Sequence, residues 1–236
     1  MALYDQHIQQ ARRAFCRQRA EEFPAWRTLL RAEFLLLYVL LPAGIAILLP
    51  PSSMFLALFA SMLLGLYLLW RTPGFSWAHL WDGWRGLPWG LIAGFGLFTL
   101  IGSALIVHWT APAALFLLPR HSPDLWLTIL IFYPLLSALP QELVFRPLFF
   151  RRYATLMPPG RAPLVLNAAV FSFAHLMYWS WIVAGMTFIG GLVFAWGYEE
   201  RRSFPLAFAL HAVAGLALFT AGLGVYFYSG NVDRPF

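Results

Sequence analysis

The chain of 236 residues contains no lysine and a single cysteine, Cys16, and charged residues make up only 11% of it. One thiol excludes an internal disulfide, and its place in a basic N-terminal segment reads as an unremarkable reduced side chain. A soluble domain carries about 25% charged residues, so the shortage of charge excludes an ordinary water-soluble fold. With lysine absent, the net charge of +6 comes from arginine alone. That balance fits membrane topology and contact with anionic lipid, and nucleic acid is not expected as a partner. The same arginine-rich, lysine-free composition points to a bacterial source.

What is present is hydrophobic. Apolar residues make up 61% of the chain, in stretches of membrane-spanning length. The spans are expected near 32–49, 52–70, 89–109, 125–150, 163–179, 181–198 and 204–227. This predicts an all-α, polytopic membrane helix bundle with about seven transmembrane spans. Trp and Tyr at many span ends fit interfacial belts. Before the first span, Tyr4, Ile8, Ala11 and Phe15 recur at helical spacing opposite Arg12, Arg13 and Arg17. Residues 1–31 therefore read as a basic amphipathic segment on the cytoplasmic face, retained because no clear cleavage site follows. Three N-terminal spans occupy 32–124, and 125–228 forms a second, C-terminal helical core. Gly90, Gly94, Gly96 and Gly102 in the third span are read as packing positions.

Arginine counts orient the bundle. With the N-terminus inside, thirteen arginines fall in inner segments, Arg120 and Arg234 fall outside, and Arg146 lies within a span. The asymmetry predicts the N-terminus inside and the C-terminus outside a bacterial cytoplasmic membrane.

Glu142 is the one acidic residue well inside an apolar span. A charge near the bilayer centre costs about 2.5–3.5 kcal/mol on insertion scales, so such residues are kept where they are paired and used. Arg146 stands four residues on and shares the helix face. His175 and His211 fall in the same half of the bilayer, at depths within about 8 Å of Glu142. His7, His79, His108 and His121 lie in polar segments or at a span end and are set aside as interfacial. As a plain structural feature, Glu142–Arg146 would be an ion pair that locks the bundle. Two further ionisable groups at that depth favour a functional site.

The residues Gln141-Glu142-Leu143-Val144-Phe145-Arg146 resemble the Glu-Glu-x-x-x-Arg motif of the CPBP family, the CAAX prenyl and bacteriocin-processing (Abi) intramembrane proteases. Phe171 to His175 is similar to that family's Phe-x-x-x-His motif, and His211 stands where its third motif, His-x-x-x-Asn/Asp, begins. The resemblance covers about 125–225 and implies an intramembrane endopeptidase acting on a membrane-associated or C-terminal-tail peptide. It also implies a site of Gln141, Glu142, Arg146, His175 and His211. Two positions depart from the pattern: Gln141 replaces the first glutamate, and Gly215 replaces the asparagine or aspartate of the third motif.

Peptide hydrolysis needs an activated water and donors for the developing oxyanion. With Gln141 in place of a carboxylate, the expected roles are Glu142 as base and His175 and His211 orienting water and oxyanion. Gln141 is expected to donate to the oxyanion. No cofactor is expected. A zinc ion on Glu142, His175 and His211 is the alternative, although it leaves no separate carboxylate base. The alternative to an enzyme is a degenerate pseudoprotease that binds membrane peptides or a partner protein. A proton-coupled carrier ranks below both, because no inverted repeat of hydropathy is evident.

Overall fold

The computed structural model describes residues 24–232, so the expected amphipathic segment over 1–31 lies, apart from 24–31, outside the described residues. Seven apolar helices follow one another: α1 (Trp26–Leu48), α2 (Met54–Trp70), α3 (Trp89–Thr110), α4 (Pro123–Arg152), α5 (Ala162–Tyr178), α6 (Trp181–Glu199) and α7 (Phe204–Ala221). No strand occurs among the described residues. Five of the seven are long and apolar enough to cross a membrane, and α2 and α5 are shorter. At 17 residues, α2 extends about 26 Å, just under a hydrocarbon core of about 30 Å. The chain is thus an all-α, multi-pass membrane bundle. Large apolar side chains cover its outer faces, with Leu48 78%, Trp109 81% and Trp181 94% exposed, a surface that suits lipid and not water.

Capping explains several helix ends. Ser180 and Ser203 precede α6 and α7, and their hydroxyls accept from the N–H groups of Val183 and Leu206. Gly222 ends α7 at φ +100°, a left-handed conformation that glycine adopts without strain. The first helix starts earlier than the hydropathy suggests, its helical turns beginning ahead of the apolar run, and so carries Arg27 and Arg31 as well as Glu33.

Prolines shape the interiors of α1 and α4. A proline has no N–H to donate, and its ring collides with the carbonyl four residues back. Both helices respond by widening. Ahead of Pro42 the turn Leu36–Leu40 is π-helical, and ahead of Pro140 so is Pro134–Ala138. In each case the residue before the proline donates to the carbonyl five residues back, Leu41 to Leu36 and Leu139 to Pro134. A third widened stretch, Val144–Arg152, contains Pro147.

Helix α7 is the centre of the bundle: 61% of its span is buried, against 28–39% for the other four long helices. Small residues let neighbours approach it and one another. A Cβ at Gly96 of α3 would stand 2.6 Å from Val213 of α7, and one at Gly191 of α6 would stand 3.0 Å from the Ala168 backbone of α5. Gly90, Gly94 and Gly102 meet nothing within 4 Å, so of the four expected packing glycines in α3 only Gly96 packs.

At the end of α4, arginines tie the helices together. Arg152 pairs through Nε and Nη2 with Glu33 of α1 and donates from Nη1 to the Leu68 carbonyl of α2 at 3.2 Å. The Tyr153 hydroxyl donates to Glu33 at 2.6 Å. Arg151 pairs with Glu199 at 3.1 Å.

Candidate active site

Glu142 lies on the five-residue α-helical segment Leu139–Leu143, between the two widened stretches of α4. Its side chain is fully buried, as is that of Arg146 one turn on. The guanidinium grips the carboxylate twice, Nε to Oε2 at 3.0 Å and Nη2 to Oε1 at 3.2 Å. This is the i,i+4 pair that the sequence spacing predicts. Burying two charges costs several kcal/mol each unless geometry and further hydrogen bonds offset it. Here they do. Arg146 Nη1 donates to Asn167 Oδ1 of α5, and Asn167 Nδ2 donates to the Phe145 carbonyl at 2.7 Å. The guanidinium also lies 5.0 Å from the Phe171 ring centroid and 5.7 Å from that of Phe194.

His211 enters from α7. Its Nδ1 stands 2.9 Å from Glu142 Oε1, and its ring stacks on Phe194 at 4.7 Å and an interplanar angle of 9°. A carboxylate held by arginine accepts, so Nδ1 of His211 carries a hydrogen, and in the neutral imidazole Nε2 is the acceptor. His175 stands at the C-terminal turn of α5, its Nδ1 2.8 Å from the Phe171 carbonyl. A carbonyl also only accepts, so this imidazole too presents Nε2 as an acceptor. The two histidines flank one ring: Phe171 lies 4.8 Å from His175 and 5.6 Å from His211. Glu142, Arg146 and His211 are therefore in direct contact, and His175 joins them through Phe171.

Gln141 takes a different direction. Adjacent helical positions point about 100° apart, and Gln141 donates from Nε2 to Ser137 Oγ at 3.1 Å instead of bonding to the cluster. Its buried Oε1 has no hydrogen-bond partner among the described residues.

Zinc does not fit this arrangement. Both oxygens of Glu142 face cationic or N–H donors, and a guanidinium against the carboxylate repels a dication. Among the described residues no three His, Cys, Asp or Glu side chains are grouped to hold a metal ion.

Two neighbours escape sequence reasoning. Asn167 completes the coordination of Arg146, and its signal was a carboxamide within an apolar helix, a group costly to bury unpaired. Tyr133 of α4 packs its ring edge toward His211 at 6.3 Å and against Gly215, in the room a side chain at 215 would need. Nothing in the sequence links positions 82 residues apart on different helices.

Residues 123–217 match the model of a protein family described as Rce1-like, type II CAAX prenyl endopeptidase. The resemblance to the CPBP family is thereby shown over α4 to α7, the stretch that holds every residue of the cluster. The family is one of membrane endopeptidases of the CAAX-protease type. No curated protein and no solved structure matches the chain.

Proposed function

We propose that this chain, of CPBP type over residues 123–217, is an intramembrane endopeptidase that hydrolyses a peptide bond of a membrane-associated or C-terminal-tail substrate. We place it in the cytoplasmic membrane of a bacterium, N-terminus inside, in line with the arginine asymmetry. The observation that carries the reading is the buried 2.9 Å contact between His211 Nδ1 and Glu142 Oε1 on the family-matched segment. An imidazole whose Nδ1–H is held by a carboxylate has a basic Nε2 and a counter-charge ready for the imidazolium.

The geometry favours His211 over Glu142 as the base, because both oxygens of the buried carboxylate are already engaged. His211 Nε2 takes a proton from water as the water oxygen adds to the scissile carbonyl carbon, and the carbonyl π pair moves to oxygen. On collapse the C–N bond breaks, and the leaving nitrogen takes the proton back from Nε2. Glu142 orients the ring, Arg146 keeps Glu142 ionised, and His175 Nε2 accepts a hydrogen bond from the attacking water.

The test is peptide release by the purified protein from a panel of membrane and C-terminal-tail substrates. Wild type should cleave, and His211→Ala should lower kcat by about 10²–10⁴-fold, the usual contribution of a positioned base. The second reading, a pseudoprotease that binds such peptides, draws on the full burial of Glu142 and on Gln141 at the first motif position. A wild type that binds the peptides without cutting them, with cleavage gained in Gln141→Glu, would establish that reading instead.

A further inference from the structure

We propose that the Tyr133 hydroxyl donates the hydrogen bond that holds the substrate carbonyl oxygen while water adds, from the room left by the missing side chain at Gly215. The inference rests on the endopeptidase reading and deepens it by naming an oxyanion donor.

An inventory of donors leads to Tyr133. Arg146 spends three of its five N–H groups, Nε and Nη2 on Glu142 and Nη1 on Asn167, and is fully buried among its partners. Asn167 gives one amide N–H to the Phe145 carbonyl and is likewise fully buried. As neutral imidazoles both histidines spend their one N–H, on Glu142 and on the Phe171 carbonyl, and offer an acceptor to a substrate. Gln141 points to Ser137. A site that adds water to a carbonyl needs at least one donor aimed at the oxygen that becomes negative. Tyr133 is the hydroxyl beside His211 that no other described residue holds by a hydrogen bond.

Its position is fixed by packing. The ring atoms Cε1 and Cζ and the hydroxyl oxygen all crowd the point where a Cβ at Gly215 would stand. Phe219 packs against the ring at a centroid distance of 5.4 Å. Gly215 is one turn after His211 on α7, so a phenol lodged there lies one turn from the imidazole, at the same level of the bundle. A donor held in a preset direction inside an apolar bundle stabilises developing charge without reorganising at the moment of reaction.

The experiment uses the purified full chain and an internally quenched C-terminal-tail peptide that wild type cleaves. Tyr133→Phe keeps the ring that fills the space at Gly215 and removes only the oxygen. It should lower kcat by about 10²–10³-fold, the loss typical of one oxyanion donor, with KM and melting temperature unchanged. A purely structural Tyr133 predicts no change in kcat. Gly215→Asn alone should unfold at lower temperature, because its side chain meets the Tyr133 ring. Tyr133→Ala with Gly215→Asn should restore the melting temperature and recover about tenfold in kcat over Tyr133→Ala, a carboxamide N–H replacing part of a lost hydrogen bond. Wild-type kcat in Tyr133→Phe would overturn this inference alone. A wild type that cleaves no peptide of the panel would overturn the endopeptidase reading and this inference with it.

Discussion

His211 Nδ1 and Glu142 Oε1 lie 2.9 Å apart across 69 residues of chain, and the same carboxylate closes a two-point grip with Arg146. One buried side chain thus serves a partner on its own helix and a partner on α7. Removing it unpairs both.

The first prediction follows from that double role. Glu142→Gln leaves the fully buried Arg146 without a counter-charge, and breaking a buried pair costs about 3–5 kcal/mol. Glu142→Leu combined with Arg146→Met removes both charges and should recover most of the loss. Thermal unfolding of the three proteins in one detergent checks it. Equal stability of Glu142→Gln and wild type would refute a structural role for the pair.

Asn167 makes the second case. Its carboxamide accepts from Arg146 and donates to the Phe145 carbonyl, both in the interior. Asn167→Ala should destabilise by about 1–3 kcal/mol through unpaired buried groups, and it should lower cleavage as Arg146 and Glu142 lose their fixed geometry. Unfolding and peptide release measured on the same preparation give both numbers.

Glycines in one bundle should respond differently to the same methyl group. Gly191→Ala brings a Cβ against the Ala168 backbone and should cost about 1–3 kcal/mol by overpacking. Gly102→Ala has open space around it and should be neutral, or stabilising by up to about 1 kcal/mol through reduced chain entropy. Opposite signs in a melting-temperature comparison are the expected result.

The arginine ties at the end of α4 give a fourth test. Glu33 binds Arg152 and Tyr153 together. Glu33→Gln, Arg152→Leu and the double variant should show a coupling of about 0.5–3 kcal/mol, as expected for residues in one network. Strict additivity would mean that α1 is held by apolar packing alone.

Hydropathy located all seven helices, because an apolar run long enough for a bilayer has few other ways to satisfy its backbone. It placed the start of α1 too late, since Arg27 and Arg31 look like the end of a polar segment although the helix already runs through them. The Glu142–Arg146 pair was legible because four residues of helix put two side chains on one face. Its meeting with His211 could only be bracketed by depth. Asn167 showed only as a carboxamide in an apolar helix and Tyr133 not at all, because depth says nothing about which face of a helix turns inward. Nor did the four glycines of α3 announce that only Gly96 touches a neighbour. The roles of Gln141 and Glu142 depended on helix rotation, which the prolines of α4 disturb.

Those prolines also give α4 a length reserve. The widened turn over Pro134–Ala138 carries one residue more than an α-turn of the same sweep. Deleting Leu135 or Leu136, both exposed, together with Pro140→Ala, which removes the ring that forces the widening, would let that turn relax to α-helix while Glu142 and Arg146 keep their heading. The same deletion between His211 and Gly215, where α7 is regular, would rotate everything beyond it by about 100°. The number of residues between Tyr133 and Glu142 is therefore free to fall by one only where the proline is lost with it, while the interval from His211 to Gly215 is fixed either way.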